Sequence, residues 1–156
     1  MRDDLAVHNV NRSYQLAASS IAIFTFLLFF LYPRFASGDV DAWPFEATLI
    51  VMGVATFSFA FASFYYYGAS LSGRIDATAR TQYSRRGDSF WLVGCVLLFL
   101  APSLILFTVQ LLLVALTWFA LWLVYLVFVL RHFPLVLTRG NLETGKAVGD
   151  EGRPVE

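Results

Sequence analysis

The chain has 156 residues, 58% of them hydrophobic and only 14% charged, with formal net charge zero and mean hydropathy +0.67. A soluble domain usually carries about a quarter charged residues, so the shortfall points to lipid as the solvent. Cys95 is the single cysteine, which excludes an intramolecular disulfide, CxxC redox chemistry and a cysteine-rich metal site.

Four apolar stretches follow in chain order: about 16–32, 46–67, 89–107 and 111–131. The last two form one run from Phe90 to Leu130 without a charged side chain. As one helix at ~1.5 Å per residue it would be roughly 60 Å long, about twice the ~30 Å hydrocarbon core, so it must cross twice. Cutting the run at Pro102 leaves too few residues before it to span. Thr108-Val109-Gln110, its closest polar pair, divides it into two near-span halves. A tight turn is predicted there, with Pro102 inside the third helix. Strand alternation is absent, which argues against a barrel. Pro33 is expected to follow the first span, Pro44 to open the second and Pro134 to close the fourth, with Asp88 and Ser89 capping the third.

The fold class is therefore all-α, a four-transmembrane-helix bundle. Residues 1–15 precede it as a cytoplasmic segment and 132–156 follow as a flexible cytoplasmic tail. Four spans put Arg2, Arg12, Arg74, Arg80, Arg85, Arg86, Arg131, Arg139, Lys146 and Arg153 on one face, leaving Arg34 opposite. The positive-inside rule then makes both termini cytoplasmic, in a plasma (inner) membrane. Ala36-Ser37-Gly38 resembles a cleavage site. The long preceding region with Asp3 and Asp4 argues instead for a retained helix.

Between the end residues of the spans there is no Asp, Glu, Lys, Arg or His; Glu46 and Arg131 stand at the ends. Proton relays and charged-substrate carriers use ionisable groups at depth despite roughly 2.5–3.5 kcal/mol of insertion cost each. The missing histidines argue against an intramembrane haem, and no cofactor is expected. The first span lacks the glutamate of small multidrug exporters, and one cysteine does not make a quinone-linked disulfide oxidoreductase. Gly140 to Lys146 has P-loop spacing, but Ala147 stands where a metal-binding hydroxyl belongs.

The remaining candidates are surfaces. Ala18, Ala22 and Thr25 on the first helix, and Ala55, Ser58 and Ala62 on the second, are spaced for close helix contact. Thr48, Thr56, Ser58 and Ser63 are the groups that would line a pore at the axis of a ring of subunits, against the simpler reading that each bonds back to its own helix. Gly94, Cys95 and Ser103 mark a narrow path along the third helix. Trp118, Trp122 and Tyr125 share one face of the fourth, either as an apolar-ligand surface or as packing. Between spans two and three, Leu71, Ile75 and Ala79 predict a short amphipathic helix, extending the second span or lying on the membrane. Its Arg74, Arg80, Arg85 and Arg86 favour anionic lipid or a partner.

The functional expectation is a non-catalytic membrane protein acting by assembly, as a homo-oligomer or as a small subunit of a larger complex. A channel at the axis of a homo-oligomer is the alternative, and a binder of hydrophobic ligand near Trp118 and Trp122 the next. Membrane lipids and another membrane protein are the expected partners; nucleic acid is not.

Overall fold

The structure is a computed structural model that describes residues 2–38, 40, 42–71 and 77–150, with side chains placed for 8–38, 40, 42–71 and 78–132. It contains four helices among the described residues: α1 (Arg2–Ala36), α2 (Ala42–Ser70), α3 (Ala77–Thr108) and α4 (Leu112–Asp150). Each holds a stretch long and apolar enough to cross a membrane: His8–Ala36, Ala42–Ser70, Thr78–Thr108 and Leu112–His132. The chain divides into two compact units, Met1–Phe119 and Ala120–Glu156.

The turn in the long apolar run falls where the polar residues sit. Gln110 is the one non-glycine residue with positive φ among the described residues, at 59°. The Gln110 N–H donates to the Phe107 carbonyl and the Leu111 N–H to the Leu106 carbonyl, both at 3.0 Å. This is the paired closure of a Schellman motif, with glutamine in the left-handed position that usually takes glycine. It satisfies carbonyls that the end of α3 would otherwise leave bare in an apolar surrounding. Gly38, at φ 80°, occupies the same position after α1.

Several boundaries differ from those expected. α1 begins at Arg2 and includes Pro33, one turn before its end. α3 begins at Ala77, so the described helical part of the connecting segment belongs to the third helix. Ser72 to Asp76, including Arg74 and Ile75, lie outside the described residues. Asp88 and Ser89 are consequently mid-helix and cap nothing; the Ser89 hydroxyl donates to the Arg85 carbonyl. α4 continues through Pro134 and the Gly140–Lys146 segment to Asp150. A proline withholds its own N–H from the carbonyl four residues back, but the residues beyond it can still donate.

In the first unit α2 packs along both α1 and α3. Its buried residues repeat every seven positions in two interleaved sets. Phe45, Met52, Phe59 and Tyr66 are large, except that methionine replaces an aromatic ring once; Thr48, Ala55, Ala62 and Ala69 are small. A seven-residue repeat keeps one seam of a helix against its neighbour. α3 answers with small residues. A Cβ added to Gly87 would meet the Tyr66 ring at 2.9 Å, and one added to Gly94 would meet the Phe59 ring at 2.8 Å. The same antiparallel step places Met52 beside Ala101, and these two share a buried core with Leu27, Leu31 and Phe45. Large side chains on α2 thus seat over small ones on α3. Where lipid removes the hydrophobic drive between helices, such dispersion contact is what holds them.

α1 contributes Ser13, Ala17, Ser20, Leu27 and Leu31 to the buried interior. Ala18, Ala22 and Thr25, expected at a contact, are exposed. α1 carries small residues on both of these faces, and its orientation against α2 selected the other one.

Candidate functional site

Polar chemistry in the first unit converges where three helices end their apolar stretches. Asn9 and Arg12 come from α1, Tyr66 from the last turns of α2, and Asp88 and Trp91 from the first half of α3; together they line a pocket of about 150 Å³. An engineered cavity of that volume admits a benzene-sized molecule.

Each contact has a local cause. Gly87 lets the Tyr66 ring lie against α3, and the neighbouring Asp88 then receives the Tyr66 hydroxyl, which donates to Oδ1 at 2.6 Å. That short O–H···O⁻ distance is typical of a charge-assisted bond. About one turn further along α3, the same register sets Trp91 against Ala17, Phe59 and Cys95. The Arg12 guanidinium lies over the Trp91 ring, 4.7 Å from its centroid, within the range of a cation–π contact. Arg12 and Asp88 face the same pocket, yet among the described residues they form no ion pair with each other. The pocket thus holds one cation and one anion, each retaining polar capacity.

Near it, the Ser13 hydroxyl is fully buried and has no hydrogen-bond partner. The other small hydroxyls behave differently. Thr48 donates to the Pro44 carbonyl, Thr56 to Met52, Ser58 to Val54 and Ser63 to Phe59, at 2.7 to 3.1 Å. Thr48, Ser58 and Ser63 are buried with Ala55 and Ala62 inside the first unit, and Thr56 is half-buried. Phe57, Phe61 and Phe64 point outward from the opposite face of α2.

On α3, Gly94 is filled by the Phe59 ring, Cys95 is buried, and the Ser103 hydroxyl donates to the Ala115 carbonyl of α4 at 3.0 Å. These residues sit at helix contacts. On α4, Trp118 is 43% exposed, while Trp122 and Tyr125 are half-buried. The Thr117 hydroxyl bonds the Leu113 carbonyl. Of the basic residues between spans two and three, Arg85 and Arg86 are exposed, Arg80 is half-buried, and Arg74 lies outside the described residues. His132 stacks on Phe128, ring centroids 4.1 Å apart, and its Nδ1 lies 2.9 Å from the Phe128 carbonyl.

Sequence reasoning did not assemble the pocket. It assigned Asp88 to a cap and Arg12 to the basic face. The available signal was that Arg12, Tyr66, Asp88 and Trp91 all fall at the same-side ends of three consecutive spans.

The described residues are all-helical, with four helices long and apolar enough to cross a membrane. No protein-family model, characterised protein or solved structure matches the chain.

Proposed function

We propose that this is a non-catalytic membrane protein that works by assembly, as a homo-oligomer or as the small subunit of a larger membrane complex. In this reading four helices cross a plasma (inner) membrane as a bundle, with both termini on the cytoplasmic side, where the arginines gather.

The observation that carries the proposal is on α4. Its first turns carry large exposed side chains, Leu112, Leu113 at 81%, Val114 and Leu116, over most of their surface, with Ala115 buried between them. Trp118 is exposed among them, and its indole N–H makes no hydrogen bond among the described residues. An aliphatic surface alone is satisfied by lipid tails. A donor several residues inside the apolar stretch is better satisfied by a polar acceptor on a neighbouring helix.

The test is native mass spectrometry of the protein in nanodiscs, with wild type and Trp118→Phe compared across protein concentrations. A discrete oligomer, or a co-purifying membrane subunit, weakened by Trp118→Phe supports the proposal. A monomer at every concentration, with no crosslinked partner in native membranes, overturns it. A ring of four or more that conducts ions in liposomes would select the channel alternative instead.

A further inference from the structure

The pocket between Asn9, Arg12, Tyr66, Asp88 and Trp91 has no part in assembly through α4. Three features of it are informative together. It offers one fixed cation and one fixed anion that do not neutralise each other. It stands where the sequences of α1, α2 and α3 pass from apolar to polar, which in the membrane reading is the depth of phospholipid headgroups. Its volume, about 150 Å³, is on the scale of a cavity that holds a small molecule.

We propose that this pocket binds the headgroup of a zwitterionic phospholipid bearing a primary ammonium, with the ammonium against Asp88 and the phosphodiester against Arg12. The proposal rests on the membrane reading of the four helices and is independent of subunit number.

The chemistry discriminates among headgroups. Asp88 spends one lone pair of Oδ1 on the Tyr66 hydroxyl, and its remaining acceptor sites suit the three N–H donors of a primary ammonium. That tyrosine bond also holds the carboxylate in place before ligand arrives. Arg12 is positioned by the Trp91 ring. Its guanidinium is exposed and makes no hydrogen bond or ion pair among the described residues, leaving five N–H donors in a planar fork for phosphate oxygens. A quaternary ammonium has no N–H for Asp88 and is best bound on an aromatic face, whereas here Arg12 covers the Trp91 face. A purely anionic headgroup would satisfy Arg12 but would leave Asp88 facing negative charge.

The experiment uses the full chain in nanodiscs containing equal amounts of phosphatidylethanolamine, phosphatidylcholine and phosphatidylglycerol, with retained lipid read by native mass spectrometry. Wild type is expected to retain phosphatidylethanolamine preferentially. Asp88→Asn, which keeps the shape and an acceptor for Tyr66, is expected to lower that preference about tenfold, toward parity with phosphatidylcholine, by the loss of one charge-assisted contact. Arg12→Gln should weaken retention of all three lipids. Glu46→Gln, at the far end of α2, should change nothing. Titration with soluble phosphoethanolamine separates a lipid site from one for the free zwitterion: binding without acyl chains, as tight as that of the lipid, would reassign the ligand and overturn the lipid proposal. No headgroup preference in wild type, or a preference unchanged in both Asp88→Asn and Arg12→Gln, also overturns it.

Discussion

A Cβ built on Gly94 would stand 2.8 Å from the Phe59 ring, whereas one built on Gly53 meets nothing within 4 Å. Both glycines lie inside apolar helices, and sequence context alone does not separate them. The structure does, because only one of them is a socket. Gly94→Ala should force the ring and its backbone apart and destabilise by about 1–3 kcal/mol, the usual cost of overpacking. Gly53→Ala should be neutral or gain up to ~1 kcal/mol from reduced backbone entropy in the unfolded chain. Reversible unfolding in mixed micelles on titration with SDS measures both. Equal effects at the two positions would mean that Phe59 does not seat on Gly94. Ser13 makes a similar point: its neighbours in composition bond back to their own helix, while its buried hydroxyl has no partner, a difference invisible in the letters.

For single helices, the informative contrast is between the two faces of α2. Met52 is fully buried and Phe57, five residues on, is 67% exposed. In water both truncations would forfeit transfer energy. In lipid the surroundings are as apolar as the side chain, so only lost packing should count. Met52→Ala is accordingly expected to cost about 2 kcal/mol, the lower end of the range for such core truncations, and Phe57→Ala less than about 0.5 kcal/mol. Comparable losses at both sites would indicate that the outer aromatic face of α2 is itself covered by protein. The seven-residue repeat of Phe45, Met52, Phe59 and Tyr66 was present in the sequence, but uniform hydrophobicity masked it. When every position is apolar, the contrast that normally reveals a periodic face disappears, and side-chain size becomes the remaining signal. The α1 face buried against α2 was hidden for the same reason, since Ala18 and Ala22 look no different from Ala17 and Ser20 until a neighbour is present.

Across the whole molecule, four crossings require His8 and Thr78 to share one side of the membrane and Ser37 and Gln110 to share the other. All four are exposed. Single cysteines at these positions, in a Cys95→Ala background, should react with an impermeant maleimide in those two pairs. Labelling of His8→Cys and Thr78→Cys from opposite sides would rule out the four-span arrangement. The four helices of the described residues, their apolar lengths and the site of the α3–α4 turn were determined by the sequence itself. Each depends on run length against a fixed bilayer thickness, or on a local polar break, and neither requires a partner. The start of α3 well before its apolar stretch was less legible, because polar helix and polar loop share a composition. Only the tertiary structure decided which face of α1 is buried, which glycines are sockets, and that Arg12, Tyr66, Asp88 and Trp91 line one pocket. Those facts depend on the register between helices distant in sequence, which is set by shape complementarity summed along the whole contact and is not encoded at any one position.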